Sequence, residues 1–174
     1  MAGADTAARV RHDPGGSAEE NMMAMTSGMY TSDTIECPTP WPFFQQLDQE
    51  FHFTLDVCAT PFNAKCPVFY SRQEDGLSQI WRGIVWMNPP YGRTIGLWIE
   101  KAYRSSREGC IVVCLLPSRT DTAWWHQYCM QGEIRFVRGR LRFLNDAPAP
   151  FPSAVVIFGE GYSHSGRVST IERG

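Results

Sequence analysis

The chain has 174 residues, with 16 Lys plus Arg against 18 Asp plus Glu and a formal net charge of −2. At 43% hydrophobic and 20% charged residues it can bury one ordinary core, which points to one domain with or without tails. No stretch approaches the roughly 20 apolar residues of a membrane span, and the N-terminus lacks a signal-type apolar run, so a soluble, cytoplasmic protein is expected. The charge is unevenly divided: residues 1–86 carry five basic and eleven acidic side chains, a net of −6, and residues 87–174 carry eleven and seven, a net of +4. A polyanion would meet the second half. The six cysteines are irregularly spaced and lack a CxxC pair, which favours free thiols, with no metal expected.

Residues 1–36, rich in Gly, Ala, Ser, Asp, Glu and Met, read as a disordered leader, residues 37–162 as the folded domain, and residues 163–174 as a polar tail. Thr39 is placed to cap a helix with Pro40 and Pro42 in its first turn and Phe43, Phe44, Leu47 and Phe51 on one face. The run Phe53 to Val57 predicts a strand ending at Asp56 and entering a loop at Cys58, Ala59 and Pro61. Gly83 to Met87 predicts a second strand, followed by a helix through Leu97, Trp98 and Ala102 that stops at Gly109. Cys110 to Leu116 predicts a buried strand closed by Pro117, and Asp121 is placed to cap a helix through Trp124, Trp125 and Tyr128. Strand alternating with helix implies a mostly parallel sheet. Glu133 to Phe143 and Ala154 to Phe158, with no long helix between them, predict antiparallel strands at one edge.

Ligands of open α/β sheets bind beyond the carboxyl ends of the strands, where strand order reverses, and Asp56 and Asn88 both close strands there. The run Asn88-Pro89-Pro90-Tyr91 carries the chemistry. Two prolines fix an extended backbone and donate no hydrogen bonds, leaving the Asn88 side-chain oxygen and the Pro89 carbonyl as acceptors with the Tyr91 ring beside them. Two acceptors and a ring suit a planar amine on an aromatic base. Holding both amine hydrogens localises a lone pair otherwise delocalised into the ring, ready for a positioned electrophile. Asn88 is a poor proton acceptor, so its part is positioning. The alternative is a turn that ends a strand and packs Tyr91 on the core.

Arg135, Arg138, Arg140 and Arg142 follow closely, and in an extended strand the last three share a face suited to a phosphate backbone, or to discouraging edge association. Arg93, just after the turn, is a further candidate for contact with such a backbone, and Arg119 is placed to hold a phosphate or a carboxylate.

From Thr39 to Phe158 the chain resembles the small phage and prophage DNA N6-adenine methyltransferases of the Dam type. The resemblance lies in Thr39-Pro40, Leu55-Asp56-Val57-Cys58-Ala59, Asn63-Ala64-Lys65-Cys66, Asp75-Gly76-Leu77, Trp81 and Trp86-Met87-Asn88-Pro89-Pro90-Tyr91. It continues through Leu115-Leu116-Pro117-Ser118-Arg119-Thr120-Asp121-Thr122, Trp124 and Phe136-Val137-Arg138-Gly139-Arg140-Leu141-Arg142-Phe143. It implies a Rossmann-like α/β fold and methyl transfer from S-adenosylmethionine to N6 of a flipped adenine in duplex DNA, by Asn88, Pro89, Pro90 and Tyr91. It further implies that Asp56, Ala59, Asp75 and Asn88 bind the cofactor, Asp56 near its methionine part and Asp75 near its adenine; as residues, Asp56 can also cap the loop after its strand and Asp75 can be a turn residue. The glycine-rich turn common after the first strand of methyltransferases is replaced by Cys58-Ala59-Thr60-Pro61. No segment remains for a separate target-reading domain, so a short preference, GATC or relaxed, is expected, with no obligate protein partner. The rival readings are methylation of RNA or of protein glutamine, and a non-catalytic nucleic-acid-binding protein of the same fold.

Overall fold

The computed structural model describes residues 9–10, 37–143, 148–162 and 167–173. Helix α1 (Trp41–Phe51) carries Pro42 in its first turn, where a missing N–H costs nothing, and buries Phe43, Phe44, Leu47 and Phe51 along one face. It stops at His52, left-handed with φ 55°, whose N–H donates to the Asp48 carbonyl at 2.8 Å. The cap expected at Thr39 is not formed: the N-cap is Pro40, without a side-chain hydrogen bond, and the Thr39 hydroxyl is turned to Asn88.

Strands β1 (Arg9–Val10), β2 (Leu55–Asp56), β3 (Val68–Phe69), β4 (Ile84–Met87), β5 (Ile111–Pro117), β6 (Glu133–Val137), β7 (Ser153–Phe158) and β8 (Val168–Ile171) form one sheet. Their order is β1-β3-β2-β4-β5-β7-β6-β8. β3, β2, β4 and β5 run parallel, and β7 is antiparallel to both β5 and β6. The reversed strand thus sits inside the sheet, and β6 again points the same way as β5. Between β4 and β5 lies helix α2 (Ile95–Arg107), and after β5 the short helix α3 (Ala123–Gln127). This is the expected α/β, Rossmann-like architecture.

The continuous apolar runs are explained by burial of the sheet on both faces. Successive β5 residues alternate between two cores: Val112, Cys114 and Leu116 face α2 and Trp125, whereas Val113 and Leu115 face the aromatic side of α1. Gly109, at φ 101°, turns the chain from the end of α2 into β5, where an L side chain would be strained. Among the described residues, no helix is long and apolar enough to cross a membrane.

Three local expectations change. The strand expected over Glu133 to Phe143 ends at Val137, because Gly139 at φ 80° turns the chain. The cap of α3 is Thr122 rather than Asp121, which is exposed. Within the region read as a tail, Val168–Ile171 pairs parallel with β6, and Ile171 reaches the core beside Val137 and Leu141; β-branched residues in three of its four positions favour the strand. The leader expected over 1–36 lies outside the described residues except for Arg9–Val10, which pairs antiparallel with β3.

Candidate active site

Strand order reverses between β2 and β4, and a cavity of about 540 Å³ opens beyond their carboxyl ends. Its walls come from Cys37 and Pro38, from Val57 to Thr60 and Asn63 after β2, from Tyr70 to Arg72 after β3, from Asp75 and Gly76, from Asn88 to Pro90 after β4, and from Trp98 of α2. The size is that of a cofactor site, and the lining mixes apolar surface with a few polar groups.

Asp56 lies beneath this cavity, 3% exposed. Its Oδ1 accepts from the Cys58 N–H at 3.2 Å and its Oδ2 from the Lys65 N–H at 2.9 Å. Within the loop so tied, the Thr60 N–H donates to Asn63 Oδ1 at 2.6 Å and the Asn63 N–H to Thr60 Oγ1 at 3.3 Å. These side-chain bonds give the loop after β2 its shape in place of a glycine-rich turn. Ala59 lines the cavity, and its N–H is occupied by the Tyr70 carbonyl at 3.0 Å.

Asp75 reaches the cavity from a left-handed backbone, φ 51°, with its Oδ1 accepting from the Leu77 N–H at 3.3 Å. Gly76 beside it admits no side chain, because a Cβ would overlap the Val57 carbonyl oxygen and come within 3.2 Å of the Trp98 ring. Trp81 Nε1 donates to the Gly76 carbonyl at 2.8 Å and fixes this approach.

At the end of β4, Asn88 Nδ2 donates to the Cys37 carbonyl at 2.7 Å and to Thr39 Oγ1 at 3.0 Å. Its Oδ1 is buried with no partner. A buried amide oxygen without a donor carries a desolvation cost unless a ligand supplies one. Pro89 and Pro90 line the cavity beside it.

Tyr91 is not among the cavity residues. Its ring is 7% exposed and packs edge-to-face with Phe151 at 5.3 Å, and its hydroxyl donates to the Leu115 carbonyl at 3.2 Å. Burial pushes its pKa well above the ordinary tyrosine value, so it stays a neutral donor. Burial likewise raises the thiols of Cys37, to about 11, and Cys58, so neither cavity cysteine is a thiolate near neutrality.

Arg93 and Arg119 are exposed beyond the ends of β4 and β5. Arg138, Arg140 and Arg142 are also exposed, but they follow β6 in a turn and do not form the expected single-faced strand stripe. Arg138 pairs with Glu172 at 3.3 Å. Because β6 runs parallel to β4 three strands away, these arginines leave the same edge of the sheet as the Asn88 turn. Arg135 faces elsewhere: it binds Glu50 bidentately at 2.6 and 2.7 Å and Glu133 at 2.7 Å. Sequence reasoning missed Cys37, Asn63, Ser71, Arg72 and Trp98 as cavity residues, since none carries a local signal.

An unsatisfied amide acceptor at a switch-point cavity is the geometry expected for binding an amine. The profile of the DNA N-6-adenine-methyltransferase (Dam) family matches residues 30–154. The chain belongs to that family. It is 31% identical over 130 residues to the DNA N-6-adenine-methyltransferase of Haemophilus phage HP1, covering 71% of this chain and 75% of that protein. It is 33% identical over 103 residues to the protein of the same name from Escherichia phage T1, covering 56% of this chain and 43% of that protein. As a family member this protein is an adenine-specific DNA methyltransferase.

Proposed function

We propose that this Dam-family protein transfers a methyl group from S-adenosylmethionine to the N6 amine of an adenine flipped out of duplex DNA, acting in the cytoplasm of the cell whose DNA it modifies. The observation that carries this reading is that Asn88, which lines the cavity, holds a buried Oδ1 with no hydrogen-bond partner. The cofactor, when bound, supplies an electrophilic methyl group.

The residues divide the remaining work. Asn88 Oδ1 and the Pro89 carbonyl accept the two amine hydrogens and hold them where the nitrogen lone pair is drawn out of conjugation with the ring. Both acceptors are neutral, so they orient the amine without removing its proton, which leaves to water. Pro90 keeps the turn extended, and Tyr91 anchors it to β5 through the Leu115 carbonyl. Stacking of the base on Tyr91 requires a face of this largely buried ring to be uncovered.

For the cofactor, Asp75 offers a carboxylate to hydroxyl or amino groups, and Arg72 offers a guanidinium to the methionine carboxylate. Trp98, Val57 and Ala59 supply apolar wall. Asp56 works indirectly, by holding the loop that bears Ala59. Arg93, Arg119, Arg140 and Arg142 meet backbone phosphates, offsetting the roughly few kcal/mol that flipping costs.

Calorimetric titration with S-adenosylmethionine, followed by transfer of labelled methyl to duplex DNA, RNA or protein, tests the proposal. Saturable cofactor binding with label only in DNA is expected. Label in RNA or protein alone would move the acceptor, and absence of cofactor uptake would leave a binding protein.

A further inference from the structure

An asparagine amide is nearly symmetric in shape, so the Asn88 turn does not itself decide whether oxygen or nitrogen meets the substrate. The wrong choice would set an NH₂ donor against the amine's own N–H donors. Something outside the turn must therefore select the orientation.

The segment before α1 supplies it. The Cys37 carbonyl, which can only accept, lies 2.7 Å from Asn88 Nδ2; with the amide reversed, two oxygens would confront each other at that distance. Thr39, only 4% exposed, presents Oγ1 at 3.0 Å to the same nitrogen. Both amino hydrogens are thus engaged, and Oδ1 remains as the unpartnered acceptor. Thr39 makes no side-chain cap on α1, so its hydroxyl is released from the duty its position before a helix suggests.

We infer that Thr39 is a positioning residue for catalysis, which together with the Cys37 carbonyl locks the Asn88 amide with its oxygen toward the substrate amine. The inference rests on the acceptor role proposed for Asn88. Donation of both Nδ2 hydrogens also polarises the amide toward Oδ1 and strengthens it as an acceptor. The contact spans 49 residues of sequence and couples the start of the domain to the end of β4.

The test compares Thr39→Val, which keeps shape and removes the acceptor, with Thr39→Ser, which keeps the oxygen, alongside Asn88→Ala. Thr39→Val is expected to lower kcat about tenfold, as loss of one oriented hydrogen bond would, with KM for DNA and Kd for S-adenosylmethionine within about twofold of the parent. Thr39→Ser should restore kcat to within about threefold. In ¹⁵N-edited spectra the Asn88 side-chain amide signals should shift in Thr39→Val and stay near the parental position in Thr39→Ser, a readout independent of turnover.

Parental kcat in Thr39→Val beside an inactive Asn88→Ala would overturn the role of Thr39 while leaving that of Asn88 standing. Equal losses in the Val and Ser variants, with unchanged Asn88 signals, would also overturn it, by making the site structural. Full activity in Asn88→Ala would remove the acceptor role and this inference with it.

Discussion

The Asp56 carboxylate reaches across its own loop to hold the Lys65 N–H at 2.9 Å, so the last residue of β2 ties down the far end of the segment that walls the cavity. A buried acid facing two backbone donors holds the geometry of that loop. Asn at this position would keep one acceptor and turn an NH₂ toward the other backbone donor. Asp56→Asn is expected to cost about 1.5–3 kcal/mol, the range for a hydrogen bond to a charged group, and to weaken cofactor binding more than tenfold. Urea unfolding and calorimetry check the two effects.

Gly76 sits where a Cβ would overlap the Val57 carbonyl oxygen and press on Trp98. Gly76→Ala should push the loop after β2 away from α2, destabilise the fold by roughly 1–3 kcal/mol and abolish high-affinity cofactor binding. Gly109→Ala, where a Cβ meets nothing within 4 Å, should be destabilised only by its backbone angle, with cofactor affinity unchanged. Thermal unfolding and cofactor titration of the pair separate crowding from conformation.

Cys37 and Cys58 both line the cavity and both have raised pKa values, chiefly through burial. Alkylation by iodoacetamide should therefore be slow at neutral pH, and bound S-adenosylmethionine should slow it further at these two sites, as read by peptide mass spectrometry. The pH effect has a defined sign. A thiol whose pKa is higher folded than unfolded contributes stability that is complete below 9.0, and for Cys37 this is lost as pH rises through about 11. Stability should fall across that interval, and Cys37→Ser should flatten the fall.

Arg93 and Arg119 are exposed at the carboxyl edge, whereas Arg135 is held by Glu50 and Glu133. Arg93→Ala and Arg119→Ala should raise KM for DNA and each reduce the salt dependence of binding by about one unit in log–log slope. Arg135→Ala should leave that slope unchanged and lower stability instead, since it leaves Glu133, only 8% exposed, without its closest cation. Binding titrations over a salt series and denaturant curves distinguish the cases.

The legible features were those with a period or a breaker. The aromatic face of α1, the apolar strands β4 and β5, and the turn Asn88-Pro89-Pro90 stand in the sequence much as they stand in the fold, because burial on both sheet faces leaves continuous apolar runs between prolines and glycines. Thr39 was visible but misleading: a threonine before a proline-led helix satisfies the capping pattern, and only the fold reveals that its oxygen serves Asn88 instead. Arg138, Arg140 and Arg142 alternate as a strand would, but Gly139 takes a positive φ and the alternation has no ladder to express it. Trp98 and Arg72 reach the cavity through tertiary proximity alone, which no local spacing encodes.

The proposed reaction turns on Asn88 Oδ1 receiving the adenine amine. The most direct measurement is nucleoside mass spectrometry of methylation-free DNA after incubation with S-adenosylmethionine and either the parent protein or Asn88→Ala. N6-methyladenine is expected from the parent, and from Asn88→Ala a folded, cofactor-binding protein that forms none. N6-methyladenine at the parental rate from Asn88→Ala would contradict it.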